Sequence, residues 1–317
     1  MRISSMFEVK SEKFGRFNKL KLLNNDTYEY VSIIPEYGGN INEVVLAKNA
    51  ENYSVLDGFK IDTDLSNDML YRGANLIPFP GRVNDGRYTF EGKDYQLPLN
   101  WGKHAIHGFL FNQSLKIVNE EIADDHVSVE LEYLHGGTNI GYPFKFKTQL
   151  IYSLTNKSGF TLRTIITNLN NTAIPVGHGW HPYFKPFGKV DDLQITLPSR
   201  QRIEFDNEGI PTGKIIIEKS SSFRIGKKPL SKGYVLPPEE GKAVTKISIP
   251  KINLTMGLWQ ETGKIKYNYM YAYMLDSRDS ISIEPYSCIP DAFNNKIGLV
   301  ILQPGQCFDA SSGIFVI

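Results

Sequence analysis

Four of the six histidines in this chain fall in two His-x-x-His pairs, His104/His107 and His178/His181. Each pair lies beside glycine in a segment of turn formers, Lys103-His-Ala-Ile-His-Gly108 and Gly177-His-Gly-Trp-His-Pro182. Imidazole changes charge near neutral pH, so it suits proton transfer. Arg82 follows Pro80-Gly81, a turn that lets the backbone present a guanidinium inward for bidentate hydrogen bonds to hydroxyl oxygens. Glu284 closes the alternating segment Ser280-Ile-Ser-Ile283, just before Pro285, which is expected to end strand pairing there. A cation, imidazoles and a carboxylate among turns are what acid–base chemistry on a small polyhydroxylated molecule requires.

Each group also has a plain structural alternative. Loop histidines commonly bond backbone, strand-end glutamates are mostly solvated, and a turn arginine is often a surface cation. Two matching histidine motifs weigh towards chemistry. A shared metal fits poorly, because three-residue spacing on a strand sends two side chains to opposite faces. With only Cys288 and Cys307 there is no cysteine-based zinc site or disulfide framework, so no metal is expected. Trp101, Trp180, Tyr183 and Tyr286 flank the polar candidates, and a sugar's C–H face needs a flat apolar platform. Trp180 is the expected platform, whereas Tyr183 and Phe184 read as core residues. Asp291, in Pro290-Asp-Ala-Phe-Asn294, reads as a turn former bonding its own backbone.

The elements that must position these groups are strands. Period-two alternation is clearest in Val127–Tyr133 and Phe144–Leu150, and Phe160–Thr167, Leu193–Leu197, Lys246–Ile249 and Ser280–Ile283 read likewise. No window offers a long, capped helix. Asn84-Asp-Gly-Arg87 and Phe90-Glu-Gly-Lys93 carry hairpin turn chemistry. The expected fold is all-β, a large antiparallel β-sandwich forming one domain over residues 1–317. The segment 213–241, rich in Lys, Ser, Gly and Pro, is expected as a long loop or lid.

Charge is balanced, 35 Lys+Arg against 34 Asp+Glu, without a basic run that would track a nucleic acid. No apolar run approaches the roughly 18 residues of a membrane span, and Met1–Lys10 lacks the apolar stretch of a secretion signal. A cytoplasmic protein, a monomer or homodimer, is expected. There is no Gly-x-Gly-x-x-Gly opening a helix, no Walker loop and no Gly-x-Ser-x-Gly elbow, so no redox or nucleophile motif is present.

Three segments in this order, 75–108, Gly177–Phe184 and Ile283–Asn294, resemble the aldose 1-epimerase (galactose mutarotase) family over nearly the whole chain. The resemblance implies its supersandwich fold, a free hexose or related aldose as substrate, and interconversion of α and β anomers without metal or cofactor. It implies Glu284 as general base, His181 as general acid, and Arg82 and His107 as substrate-binding groups. His178 then either contacts substrate or holds its loop. Where galactose-active members carry a sugar-binding aspartate, Leu230-Ser-Lys-Gly-Tyr234 offers Ser231. The alternatives are a hexose-phosphate epimerase, which needs two convergent cations such as Arg82 and Arg87, and a non-catalytic carbohydrate-binding protein on the same fold. A glycosidase would need a second catalytic carboxylate, which no motif supplies.

Overall fold

The computed structural model describes residues 5–156 and 159–317. The first four residues of the N-terminal segment considered above lie outside the described residues. Strands dominate, and among the described residues the two α-helices, Asp62–Ser66 and Ala292–Asn295, are single turns. The strand ladders are antiparallel, as period-two segments joined by short connections require.

Three sheets build a large antiparallel β-sandwich. A five-stranded meander runs through Phe7–Phe14, Phe17–Asn24, Tyr30–Ile34, Asn40–Lys48 and Glu51–Ser54. A nine-stranded sheet carries the long alternating strands His126–His135, Phe146–Thr155 and Gly159–Asn168 and continues through Cys307–Val316, Leu254–Thr262 and Gly241–Ile249. An eight-stranded sheet centres on Tyr269–Met274 and Ile281–Tyr286, with Gly179–Trp180 and Tyr183–Phe184 both pairing the far side of Ile281–Tyr286. The last two sheets face each other: Phe160 meets Trp180 edge-on at 5.8 Å, and Phe308 lies 6.0 Å from the His178 ring. One contiguous cluster of buried apolar side chains runs from Phe7 to Ile314.

Three local expectations are corrected. Pro285 does not end its strand; it pairs with Met270 in the sheet interior. The N–H of Ile283 reaches Pro182 O, and Pro285, two residues on, points the same way. Its missing donor therefore falls where the neighbouring strand is itself interrupted around His181 and Pro182. The segment 213–241 is not a free loop either. It contributes to Pro211–Ile217 and supplies Ser222–Arg224 and Ser231–Val235. Pro211–Ile217 is an edge strand exposed on both faces, so its sequence lacks the alternation that marks half-buried strands. Asn84–Gly86 is a 3₁₀ turn between strands of different small sheets, whereas Glu91 and Gly92, both at positive φ, do make the tight hairpin of Arg87–Phe90 with Lys93–Gln96.

Because the buried cluster is continuous across the sheets, a single cooperative unfolding transition is the expected outcome in scanning calorimetry. Two transitions, matched by two proteolytic fragments that melt independently, would instead show two domains.

Candidate active site

Pleat parity decides which side chains meet. In Ile281–Tyr286 the odd residues Ile281 and Ile283 enter the inter-sheet core, while Ser282, Glu284 and Tyr286 share the opposite face. In Tyr269–Met274 the methionines and Ala272 face the core, with Met270 Sδ accepting a hydrogen bond from Thr245 of the nine-stranded sheet at 3.4 Å. Tyr271 and Tyr273 consequently look outward. Along 178–184 the same rule puts His178, Trp180 and Phe184 inside and His181 and Tyr183 outside. Gly179 faces outward too, where a Cβ would stand 2.7 Å from the Tyr286 ring, so glycine lets that ring lie on the backbone.

These outward residues floor a cleft walled by Tyr71, Arg82, Trp101 and His107 from the 69–107 connections. Glu284 is 1% exposed. Ser282 Oγ donates to its Oε1 at 2.5 Å and Tyr286 OH donates to its Oε2 at 2.6 Å. His181 Nε2 lies 3.4 Å from the same Oε2. That histidine is fixed by its backbone, whose N–H reaches Ala74 O at 3.0 Å and whose carbonyl accepts from Gly73 N–H at 2.9 Å. Its ring stacks on Tyr183 at 5.0 Å, with 9° between planes.

Burial pushes the Glu284 carboxyl up to about 8, against the opposing pull of the two hydroxyl donors. Burial likewise pushes His181 down to about 3. The 3.4 Å separation would suit an ion pair, but both groups are cut off from water, so a carboxylic acid beside a neutral imidazole is the resting form. Between these limits the pair holds one proton. Whichever partner carries it, the other is free to accept, which equips the pair to donate and withdraw protons at adjacent atoms.

His107 sits at φ +63, an unusual conformation for a residue with a Cβ, and is held there by Gly81. Its backbone N–H donates to Gly81 O at 3.0 Å, and its Nδ1 accepts from Gly81 N–H at 3.1 Å. Nε2 therefore carries the proton in the neutral ring, and burial keeps the ring neutral. Asp291 accepts from Asn84 N–H at 2.9 Å and from Asn294 Nδ2 at 2.7 Å, and its own N–H bonds Arg82 O, so it anchors the arginine's turn.

Glu284, His181, Arg82 and His107 thus line one cleft, while His178 and Trp180 do not. His178 is fully buried, with Nδ1 2.7 Å from Tyr267 OH and its backbone N–H donating to Ser287 Oγ. It holds its segment in the core rather than reaching a substrate. Trp180, expected as the sugar platform, packs on Phe160 with no exposure, and Tyr183, expected in the core, is in the cleft. Even positions face inward here and His181 is odd, so the two expectations exchange. Tyr71, Tyr271, Tyr273 and Ser282 were missed. The alternation Tyr269-Met-Tyr-Ala-Tyr-Met274 was the available signal for two of them. Among the described residues no three His, Cys, Asp or Glu side chains converge to hold a metal ion.

The sequence model of the aldose 1-epimerase family matches residues 20–314. The chain belongs to the aldose 1-epimerase family. The Escherichia coli protein YihR is 29% identical over 244 residues, 75% of this chain and 77% of its own length. Galactose mutarotase of Bos taurus is 25% identical over 173 residues, so that the match spans 51% of this chain and 47% of the mutarotase. A galactose mutarotase-like protein from Clostridium acetobutylicum superposes with a TM-score of 0.86 over 98% of each chain at 19% identity. Galactose 1-epimerase from Lactobacillus acidophilus gives 0.80 over 98% of this chain and 99% of its own at 18% identity. At such identities these two structures establish a shared fold. The cleft of this aldose 1-epimerase family member lies on the outward face of the eight-stranded sheet of that fold.

Two measurements check the site independently of turnover. Trp180→Phe is expected to lower the melting temperature, because it opens a void in a packed core; an unchanged melting temperature would show that the indole is not a core residue. The Glu284 carboxyl should titrate near pH 8 by carbon-13 NMR. Tyr286→Phe removes a donor to the ionised form and should move that midpoint upward, whereas a midpoint that falls would contradict the geometry.

Proposed function

We propose that the protein is a mutarotase, an aldose 1-epimerase that interconverts the α and β anomers of a free hexose or related aldose. The observation that carries this reading is the Glu284–His181 contact at 3.4 Å on the floor of a cleft that also holds Arg82, His107 and a wall of aromatic rings. The two oxygens of a hemiacetal share one carbon, so an acid and a base serving them must be near neighbours. Family membership and the galactose mutarotase relatives agree with it.

In the proposed reaction the pair's proton stands on His181 and the carboxylate of Glu284 is free. Ser282 and Tyr286 both donate to carboxylate oxygens and favour that transfer. Glu284 removes the C1 hydroxyl proton while His181 protonates the ring oxygen. The C1–ring oxygen bond breaks, giving the open-chain aldehyde. Rotation about C1–C2 presents the other carbonyl face, and reclosure with the proton roles reversed yields the other anomer. Proton transfer by placed groups of this kind contributes about 10²- to 10⁴-fold. His107 Nε2–H and the Arg82 guanidinium supply donors for ring and hydroxyl oxygens, and the tyrosines supply flat apolar surface.

The cleft favours an unphosphorylated sugar. Among the described residues Arg82 is the one cation that lines it. Arg87, the other candidate, is exposed on the outer hairpin, where its Nε donates to Gln96 at 3.1 Å. A binding protein would have no use for a carboxylate and an imidazole buried against each other, since their burial is costly and adds little to affinity.

Polarimetry on freshly dissolved single anomers is the direct test. Glu284→Gln and His181→Asn should each lower kcat at least about 100-fold with far smaller changes in KM, and Arg82→Lys should raise KM instead. The wild-type rate should fall as pH rises through about 8, where the pair loses its proton and with it the acid. A Glu284→Gln protein that mutarotates at the wild-type rate would remove the base, and with it this function.

A further inference from the structure

Arg82 stands half-buried at the cleft wall, and its guanidinium makes no hydrogen bond or ion pair among the described residues. A long side chain without a partner would normally wander among rotamers. Here a second hairpin leans on it. The strands Gln201–Phe205 and Pro211–Ile217 pair at the edge of the eight-stranded sheet, and their connection, 206–210, reaches the cleft mouth. A Cβ built on Gly209 would stand 2.6 Å from Arg82 Nη1, 3.0 Å from Cζ and 3.5 Å from Nε. The bare backbone of Gly209 therefore rests against the guanidinium, at a φ of +75 that also favours glycine.

The tip itself is braced. Asp206 Oδ1 accepts from the N–H groups of Glu208 and Ile210, each at 2.9 Å, and Gly209 N–H donates to Asp206 O at 3.1 Å. Glu208 Oε2 then lies 2.8 Å from Lys103 Nζ and 3.9 Å from His104 Nε2. Those two residues belong to the same connection that supplies Trp101 and His107 to the cleft, and Ile106 of that connection pairs with Arg82. Beside the tip, Phe205 meets Tyr271 of the cleft edge-on at 5.6 Å.

We propose that Gly209 and Glu208 are positioning residues for the sugar site. The Gly209 backbone presses the Arg82 guanidinium into the cleft, and the Glu208–Lys103 strap holds the tip in place, so that the arginine's donors are aimed before a substrate oxygen arrives. This deepens the mutarotase reading and rests on it for the identity of the ligand. Preorganisation of this kind lowers the ordering cost of binding, so its loss appears in KM. The strap is exposed and is therefore weakened by salt.

The test separates positioning from turnover. The Arg82 Nε–H signal is identified by nitrogen-15 NMR from its loss in Arg82→Lys, and its order parameter is then measured in Gly209→Ala and Glu208→Gln. The expected result is a shifted signal in Gly209→Ala and a less ordered one in Glu208→Gln. An Arg82 signal identical to wild type in both variants overturns the inference, whatever the activity. In the mutarotation assay Gly209→Ala should raise KM about 10-fold with kcat within about twofold, and the same change in an Arg82→Ala background should leave KM unaltered. An equal rise in KM in both backgrounds would overturn the inference, since Gly209 would then act without Arg82. If the Arg82 signal responds as expected while the wild-type protein mutarotates no sugar, the positioning stands and the functional reading falls. Glu208→Gln adds no bulk to the turn, so it keeps the test decisive should Gly209→Ala fail to fold.

Discussion

The arrangement of the cleft follows from one buried carboxylate. Glu284 sits in a strand whose residues are all buried, and a carboxyl cut off from water is tolerable only if it is neutral or surrounded by donors. The protein does both. Ser282 and Tyr286, two residues away on either side, place hydroxyls on its two oxygens, and His181 Nε2 lies 3.4 Å from one of them. The donors are strand neighbours on one face, so the chemistry of the carboxylate is built into the pleat and does not depend on loop order.

That face exists because the other is occupied. Ile281, Ile283, Met270 and Trp180 pack against the nine-stranded sheet, which leaves every second residue of the same strands to look outward. A strand one residue out of register would bury Ser282 and Glu284 in the apolar core and turn the isoleucines to the cleft. The hydrophobic pattern therefore fixes the polar site as firmly as it fixes the sandwich. Above the sheet, the 69–107 connections are held by backbone bonds to Gly81, Asp291 and Asn100. They add Arg82 and His107 to the cleft wall.

Much of this was legible in the chain. Period-two alternation specified strands and an all-β sandwich, because half-buried strands leave that mark on their sequence. The candidates Arg82, His107, His181 and Glu284 were singled out by the resemblance of three segments to the aldose 1-epimerase family, since neither the turn arginine nor the strand glutamate was distinctive by its local pattern alone. The edge strands Pro211–Ile217 and Ser222–Arg224 escaped notice for the opposite reason. With little or no buried face they carry no alternation, and their pairing comes from the neighbouring strands alone.

By itself, then, the sequence determined the strand content, the layered fold and the residue types available for proton transfer, since these depend on local periodicity and composition. Only the tertiary structure decided which side of each strand meets the core. It thereby sent Trp180 and His178 inward and brought Tyr183 to the cleft, although all three lie within six residues of one another. It also decided that Glu284 is buried rather than solvated, because the segment carrying Gly179–Trp180 and Tyr183–Phe184 pairs with its strand, and the connections bearing Arg82 and His107 wall its cleft, from distant parts of the chain. Burial is set by what packs around a residue, and no local pattern around Pro285 encodes that.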